Sequence, residues 1–85
     1  MSASIGRVLV VDDDDAVRSC VEAFLEDEGF AVETAASGEQ ALSALTPGRV
    51  HVAVVDARLP GMNGDELIRR AHRRDPALRL SLIHI

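Results

Sequence analysis

Val8-Leu9-Val10-Val11-Asp12-Asp13-Asp14 and Val50-His51-Val52-Ala53-Val54-Val55-Asp56 are the two stretches that decide the fold. Each is a nearly continuous run of β-branched and aliphatic residues, the pattern of a strand covered on both faces, and each is closed by aspartate. If the two runs are neighbouring parallel strands, Asp12, Asp13 and Asp56 meet at one edge of a sheet. Their mutual repulsion makes that edge unfavourable unless a cation neutralises it, so the simplest reading is a Mg²⁺ site around a reactive aspartate.

Helical patterns alternate with these strands. Val17, Cys20, Val21, Phe24 and Leu25 recur at i, i+3, i+4, i+7 and i+8, with Arg18, Glu22, Glu26 and Asp27 between them. This is an amphipathic helix, with Asp15 expected as its N-cap, Gly29 as its C-terminal stop and Cys20 as a small buried hydrophobe in the apolar stripe. Phe30 to Ala35 reads as a short second strand. Ser37, with Gln40 three residues on, has capping-box spacing ahead of Ala41, Leu42, Ala44 and Leu45, and Thr46-Pro47-Gly48 ends that helix. After Asp56, the Pro60-Gly61 and Asn63-Gly64 pairs mark a turn-rich loop. Gly64 or Asp65 opens a third helix with Leu67, Ile68 and Ala71 on its apolar side, ending near Asp75-Pro76. Leu78 to Ile85 has the composition of a fourth strand.

Strands and helices alternating at short spacing imply right-handed βαβ units and a parallel sheet. The expected fold class is therefore α/β, a doubly wound parallel sheet of flavodoxin-like type. It is incomplete here: three strand-helix pairs and a partial fourth strand. In such sheets the working residues collect outside the carboxyl ends of the strands, where Asp12, Asp13 and Asp56 sit.

Composition narrows the function classes. The chain has 85 residues, 47% of them hydrophobic but only 2% aromatic, which suits one small core of Val, Leu, Ile and Ala. A formal net charge of −5 argues against direct nucleic-acid binding, which needs a basic surface to displace counterions. The single cysteine permits no internal disulfide, and neither a secretory signal nor a membrane-spanning run is visible. A cytoplasmic location without membrane attachment is the expectation. All nine basic residues are arginine; the chain has no lysine.

Val8-Leu9-Val10-Val11-Asp12-Asp13-Asp14, taken with Val54-Val55-Asp56 and Leu59-Pro60-Gly61-Met62-Asn63-Gly64, resembles the receiver domain of two-component response regulators, from Arg7 to about Leu80. Asn63 stands where the family more often has Asp. The resemblance implies that Asp56 accepts a phosphoryl group from a sensor histidine kinase or a histidine phosphotransfer protein. It also implies that Asp12, Asp13 and Asp56, with the backbone carbonyl of Arg58, hold Mg²⁺, and that an output domain or target reads the result. The chemistry agrees: a carboxylate can serve as covalent phosphoryl acceptor, and Mg²⁺ on hard oxygen ligands offsets the charge being transferred.

The same resemblance implies two further residues, a Ser or Thr ending the fourth strand and a Lys ending the fifth. The hydroxyl would fall about one position beyond Ile85 by family spacing. The chain thus reads as the N-terminal part, 1–85, of a receiver domain, and its first helix is expected to lack its main packing partner. Residues 80–85, Leu80-Ser81-Leu82-Ile83-His84-Ile85, resemble a translated transposon-type sequencing adapter and read as a non-native tail; a genuine fourth strand is the alternative.

The expected role is a phosphoacceptor signalling module, not an enzyme. Two alternatives stand beside it. One is a degenerate receiver that interacts independently of phosphorylation. The other is a phosphohydrolase of haloacid dehalogenase type, which would use Asp13 and Asp15 and leaves Asp56 unexplained. Asp14 and Asp15 are read as helix-cap residues, not metal ligands. His51 and His72 are read as structural or surface histidines, and Arg69, Arg70, Arg73 and Arg74 as a solvated helix face.

Overall fold

The computed structural model describes residues 6–56, 58–59 and 61–83. Its elements run β1 (Arg7–Val11), α1 (Asp15–Asp27), β2 (Ala31–Ala35), α2 (Gly38–Ala44), β3 (Val52–Asp56), α3 (Gly64–Arg74) and β4 (Arg79–Ile83). The strands form one parallel sheet in the order β2-β1-β3-β4. The chain steps one way from β1 to β2 and the other way from β2 to β3 and β4. Right-handed crossovers therefore put α1 on one face and α2 with α3 on the other. This is the flavodoxin-like, doubly wound arrangement expected, and its direction reverses between β1 and β3, beside the acidic residues. No helix among the described residues is long and apolar enough to cross a membrane.

The two faces are covered unequally. Leu9, Val11, Ala53 and Val55 point into a core closed by Ala41, Leu42 and Leu45 around α2 and by Leu67 and Ala71 of α3. On the α1 face, Val8 and Val10 are buried, but Val52 and Val54 of β3 remain half-buried. The apolar run of β3 therefore differs from the expected strand covered on both faces: α1 lies over β1 and β2, and β3 receives full cover only from the α2–α3 side. α1 buries none of its residues. Val17, Val21 and Leu25 are half-buried, Phe24 is 64% exposed, and Cys20 is exposed where burial was expected. The 3.6-residue period located the apolar stripe; what packs on the stripe is a tertiary matter that no period contains.

Local chemistry sets the boundaries. Asp14, rather than Asp15, is the N-cap of α1, its extended backbone letting the carboxylate accept the N–H groups of Ala16 and Val17. The helix starts there because Asp12 Oδ1 accepts the Asp14 N–H at 2.9 Å, which already turns the chain. At the other end Gly29, with φ of 102°, closes a Schellman motif: its N–H bonds Glu26 O, and the N–H of Phe30 bonds Leu25 O. Phe30 is thereby spent on the helix end and β2 begins one residue later than expected. Ser37 caps α2 as expected, accepting the Gln40 N–H at 3.1 Å, while Gln40 Oε1 accepts from Ala36.

Val50 and His51 precede β3, and Asp56 is its last residue, not the residue after it. His51 Nδ1 accepts the Arg7 N–H at 3.0 Å, a structural role at the start of the sheet, and His72 is exposed on α3. Arg79 to Ile83 pairs with β3, so Leu80 to Ile83 is folded as a fourth strand; His84, Ile85 and Pro60 lie outside the described residues. Asn63 caps α3 by accepting the Glu66 N–H at 2.9 Å, so the amide in place of the more usual carboxylate keeps the capping acceptor.

Core and cap residues should differ measurably in a urea titration. Leu67 is fully buried, so Leu67→Ala is expected to cost about 2–5 kcal/mol. Gly29→Ala is expected to cost about 1–2 kcal/mol because a Cβ is disfavoured at positive φ. A Gly29→Ala protein with an unchanged unfolding midpoint would contradict the Schellman end.

Candidate acidic site at the sheet edge

The β1–β3 register builds the site. Val11 pairs with Val55, so the residues one step further on, Asp12 and Asp56, stand level at the carboxyl edge of the sheet. Asp12, Asp13 and Asp56 each offer a carboxylate oxygen, and these atoms all lie within 4.8 Å of one another. The structure thus brings together the three carboxylates expected from the sequence. They line an open concavity of about 600 Å³ with Asp14, Val17 and Arg58.

The three are held differently. Asp12 is only 2% exposed. Its N–H donates to Ala35 O of β2 at 3.1 Å, its Oδ1 accepts the Asp14 N–H, and its carbonyl accepts Arg18 Nη1 at 2.8 Å. Asp56 is half-buried and its Oδ1 accepts the Arg58 N–H at 3.0 Å, the same turn two residues on that Asp12 makes. In both residues one carboxylate oxygen is thereby fixed on the backbone. Asp13 is exposed.

Burial pushes the Asp12 carboxyl above its ordinary value. The Asp14 N–H pulls it back in part, and the charges of Asp56, Asp13 and Asp14 raise it further. A proton or a cation is the remedy for that excess of negative charge. The donors are hard oxygens, the type that suits Mg²⁺.

Arg58, expected to contribute its carbonyl, is among the residues lining the concavity and donates its N–H to Asp56. Buried Leu59 and Met62 pin this loop to the core. Turn signals carry no notice of such anchors, whose apolar side chains flank the Pro-Gly pair. Also missed was Arg18, whose guanidinium joins the Asp12 carbonyl and the Asp15 carboxylate. The Asp15–Arg18 spacing of three on a helix was the only trace of it. Asp15 is engaged by Arg18 and does not join Asp13, and Asp14 is the helix cap, so the pairing a dehalogenase-type phosphohydrolase would need is not made.

Comparison with known proteins agrees with this geometry. The family model for the response regulator receiver domain matches residues 8–84. The chain is 44% identical over 68 residues to the transcriptional regulatory protein AfsQ1 of Streptomyces coelicolor, covering 80% of this chain and 30% of that protein. It is 34% identical over 79 residues to the regulatory protein VanRB of Enterococcus faecalis, covering 91% of this chain and 36% of that protein. The chain therefore spans about a third of the length of these curated relatives. Among solved structures, a CheY-like receiver domain protein from Methanospirillum hungatei superposes with a TM-score of 0.89 at 34% identity, covering 95% of this chain and 65% of that one. The response regulator protein TrrA from Thermotoga maritima, solved in complex with Mg²⁺-BeF, gives 0.88 at 29% identity, covering 94% and 70%. Phosphoryl acceptance in two-component signalling is the known role of this domain, which typically binds Mg²⁺ at acidic residues and interacts with histidine kinases and output domains. With the match covering nearly its whole length, the chain belongs to the response regulator receiver domain family.

Proposed function

We propose that this chain works in the cytoplasm as the phosphoacceptor of a phosphorelay and not as an enzyme acting on a free substrate. Asp56 takes the phosphoryl group from the phosphohistidine of a sensor histidine kinase or histidine phosphotransfer protein. The observation that carries this reading is the gathering of Asp12, Asp13 and Asp56 oxygens within 4.8 Å at the strand ends.

With Oδ1 of Asp56 accepting the Arg58 N–H, the other carboxylate oxygen is left to attack phosphorus. A P–O bond forms, the P–N bond to the histidine breaks, and the imidazole leaves with the bonding pair and takes a proton from water. Asp12, Asp13 and Asp56, with the Arg58 carbonyl, would hold the Mg²⁺. Bound there, it supplies positive charge that offsets the charge of the transferring group. A phosphohistidine donor carries its phosphoryl group on a protein side chain, so this role requires no adenine-binding pocket. An output domain or separate target reads the phosphorylated state.

In the intact protein, acetyl phosphate or a similar small phosphodonor with Mg²⁺ is expected to label Asp56, and Asp56→Asn is expected to abolish labelling. Labelling of that variant at wild-type stoichiometry would refute the assignment. Chelation of Mg²⁺ by EDTA should suppress labelling as well.

The raised proton affinity of Asp12 gives a pH dependence of defined sign. Its folded value lies above the ordinary 3.8, so the folded form binds the proton more tightly than the unfolded chain. The cost of its charge is absent below 3.8, grows as pH rises through the raised value, and is fully present above it. In metal-free solution Asp12→Asn should therefore melt at a higher temperature than wild type at pH 7. The gap should close as the pH falls towards 3.8, and at neutral pH Mg²⁺ should reduce it by stabilising only the wild type appreciably.

A further inference from the structure

Arg18 sits one turn into α1, at 19% side-chain exposure, and reaches back towards the sheet. Its Nη1 donates to the carbonyl of Asp12 at 2.8 Å, and its Nη2 is paired with the exposed carboxylate of Asp15. The carbonyl it holds belongs to the peptide that joins Asp12 to Asp13. Asp12 is already fixed at its N–H by Ala35 and at Oδ1 by Asp14, whereas Asp13 makes no hydrogen bond among the described residues. Within the turn that the Asp12–Asp14 bond closes around Asp13, the Arg18 bond is the restraint placed directly on the Asp12–Asp13 peptide, and so bears on the Asp13 carboxylate.

We propose that Arg18 is a positioning residue for the cation site, a clamp on the β1–α1 turn that keeps the Asp13 carboxylate beside those of Asp12 and Asp56. This rests on the Mg²⁺ reading of the three aspartates. The guanidinium is suited to the task because its planar fork can meet two acceptors at once, which an ammonium cannot match. It is not among the groups that line the concavity, so it acts through the backbone from behind the carboxylates.

Charge and position make opposite demands here. A guanidinium near a divalent cation repels it, so removing the charge by itself would tighten Mg²⁺ binding. Removing a clamp loosens a ligand and weakens binding, typically by about 10- to 100-fold for a group that orients a metal ligand. The sign of the change in affinity separates the two.

The test is calorimetric titration of the full chain with MgCl₂, for wild type, Arg18→Ala, Arg18→Met and Arg18→Lys, with circular dichroism to show that each is folded. Arg18→Met keeps the apolar stem of the side chain and removes the donors, so it answers the question if Arg18→Ala does not fold. The clamp requires weaker Mg²⁺ binding in the Ala and Met variants, by about tenfold or more, and an intermediate value in Arg18→Lys, which retains one donor group. It also requires faster amide exchange at Asp13 and Asp14 in metal-free Arg18→Met. Unchanged or tighter Mg²⁺ binding in the folded Met variant beside a normal wild type overturns the clamp and leaves the metal reading intact. A wild type that does not bind Mg²⁺ overturns the metal reading, and the clamp with it.

Discussion

Burial of a carboxylate beside other carboxylates, at the ends of β1 and β3, is the constraint on which this site depends. The strands must lie side by side for their apolar residues to be buried, and the Val11 to Val55 register then leaves Asp12 and Asp56 no choice but to face each other. Backbone N–H groups from Asp14 and Arg58 take up part of the negative charge. They do so at one oxygen of each carboxylate. A proton or a cation relieves the imbalance that remains.

The rest of the architecture holds that unfavourable edge in place. The α2–α3 side of the sheet is fully packed, and its core extends through Leu59 and Met62 into the loop that follows Asp56. The turn on the β1 side is secured differently, by the Asp14 cap and by Arg18. One side of the site is thus fixed by apolar burial and the other by hydrogen bonds. This division follows from the uneven cover of the sheet, since α1 supplies no buried residue to anchor its own turn.

Much of this was legible in the sequence, and the misses share a cause. The continuous run at Val8 announces a parallel strand buried on both faces, the run at Val50 gives a strand of the same sheet that is fully covered on one face only, and aspartates directly after such runs fall at the carboxyl edge in any parallel sheet. The cap moved from Asp15 to Asp14 because the side chain of Asp12 begins the turn, a contact two residues long that competes with helix propensity. Cys20 and Phe24 were misplaced because periodicity identifies a face without identifying its cover. Apart from its spacing of three from Asp15, Arg18 left no sign in the sequence for a simpler reason: its other partner is a backbone carbonyl, which every residue carries and no sequence pattern records.

The approach of Met62 to Gly38 carries a consequence of its own. A Cβ added at position 38 would lie 3.1 Å from both Cβ and Sδ of Met62, tighter than side chains normally pack. The first residue of α2 and the loop beyond Asp56 therefore approach closely enough that a side chain at position 38 would crowd Met62. Two segments far apart in the chain thus meet at a position where any residue larger than glycine would force Met62 or the start of α2 to move by a few tenths of an ångström.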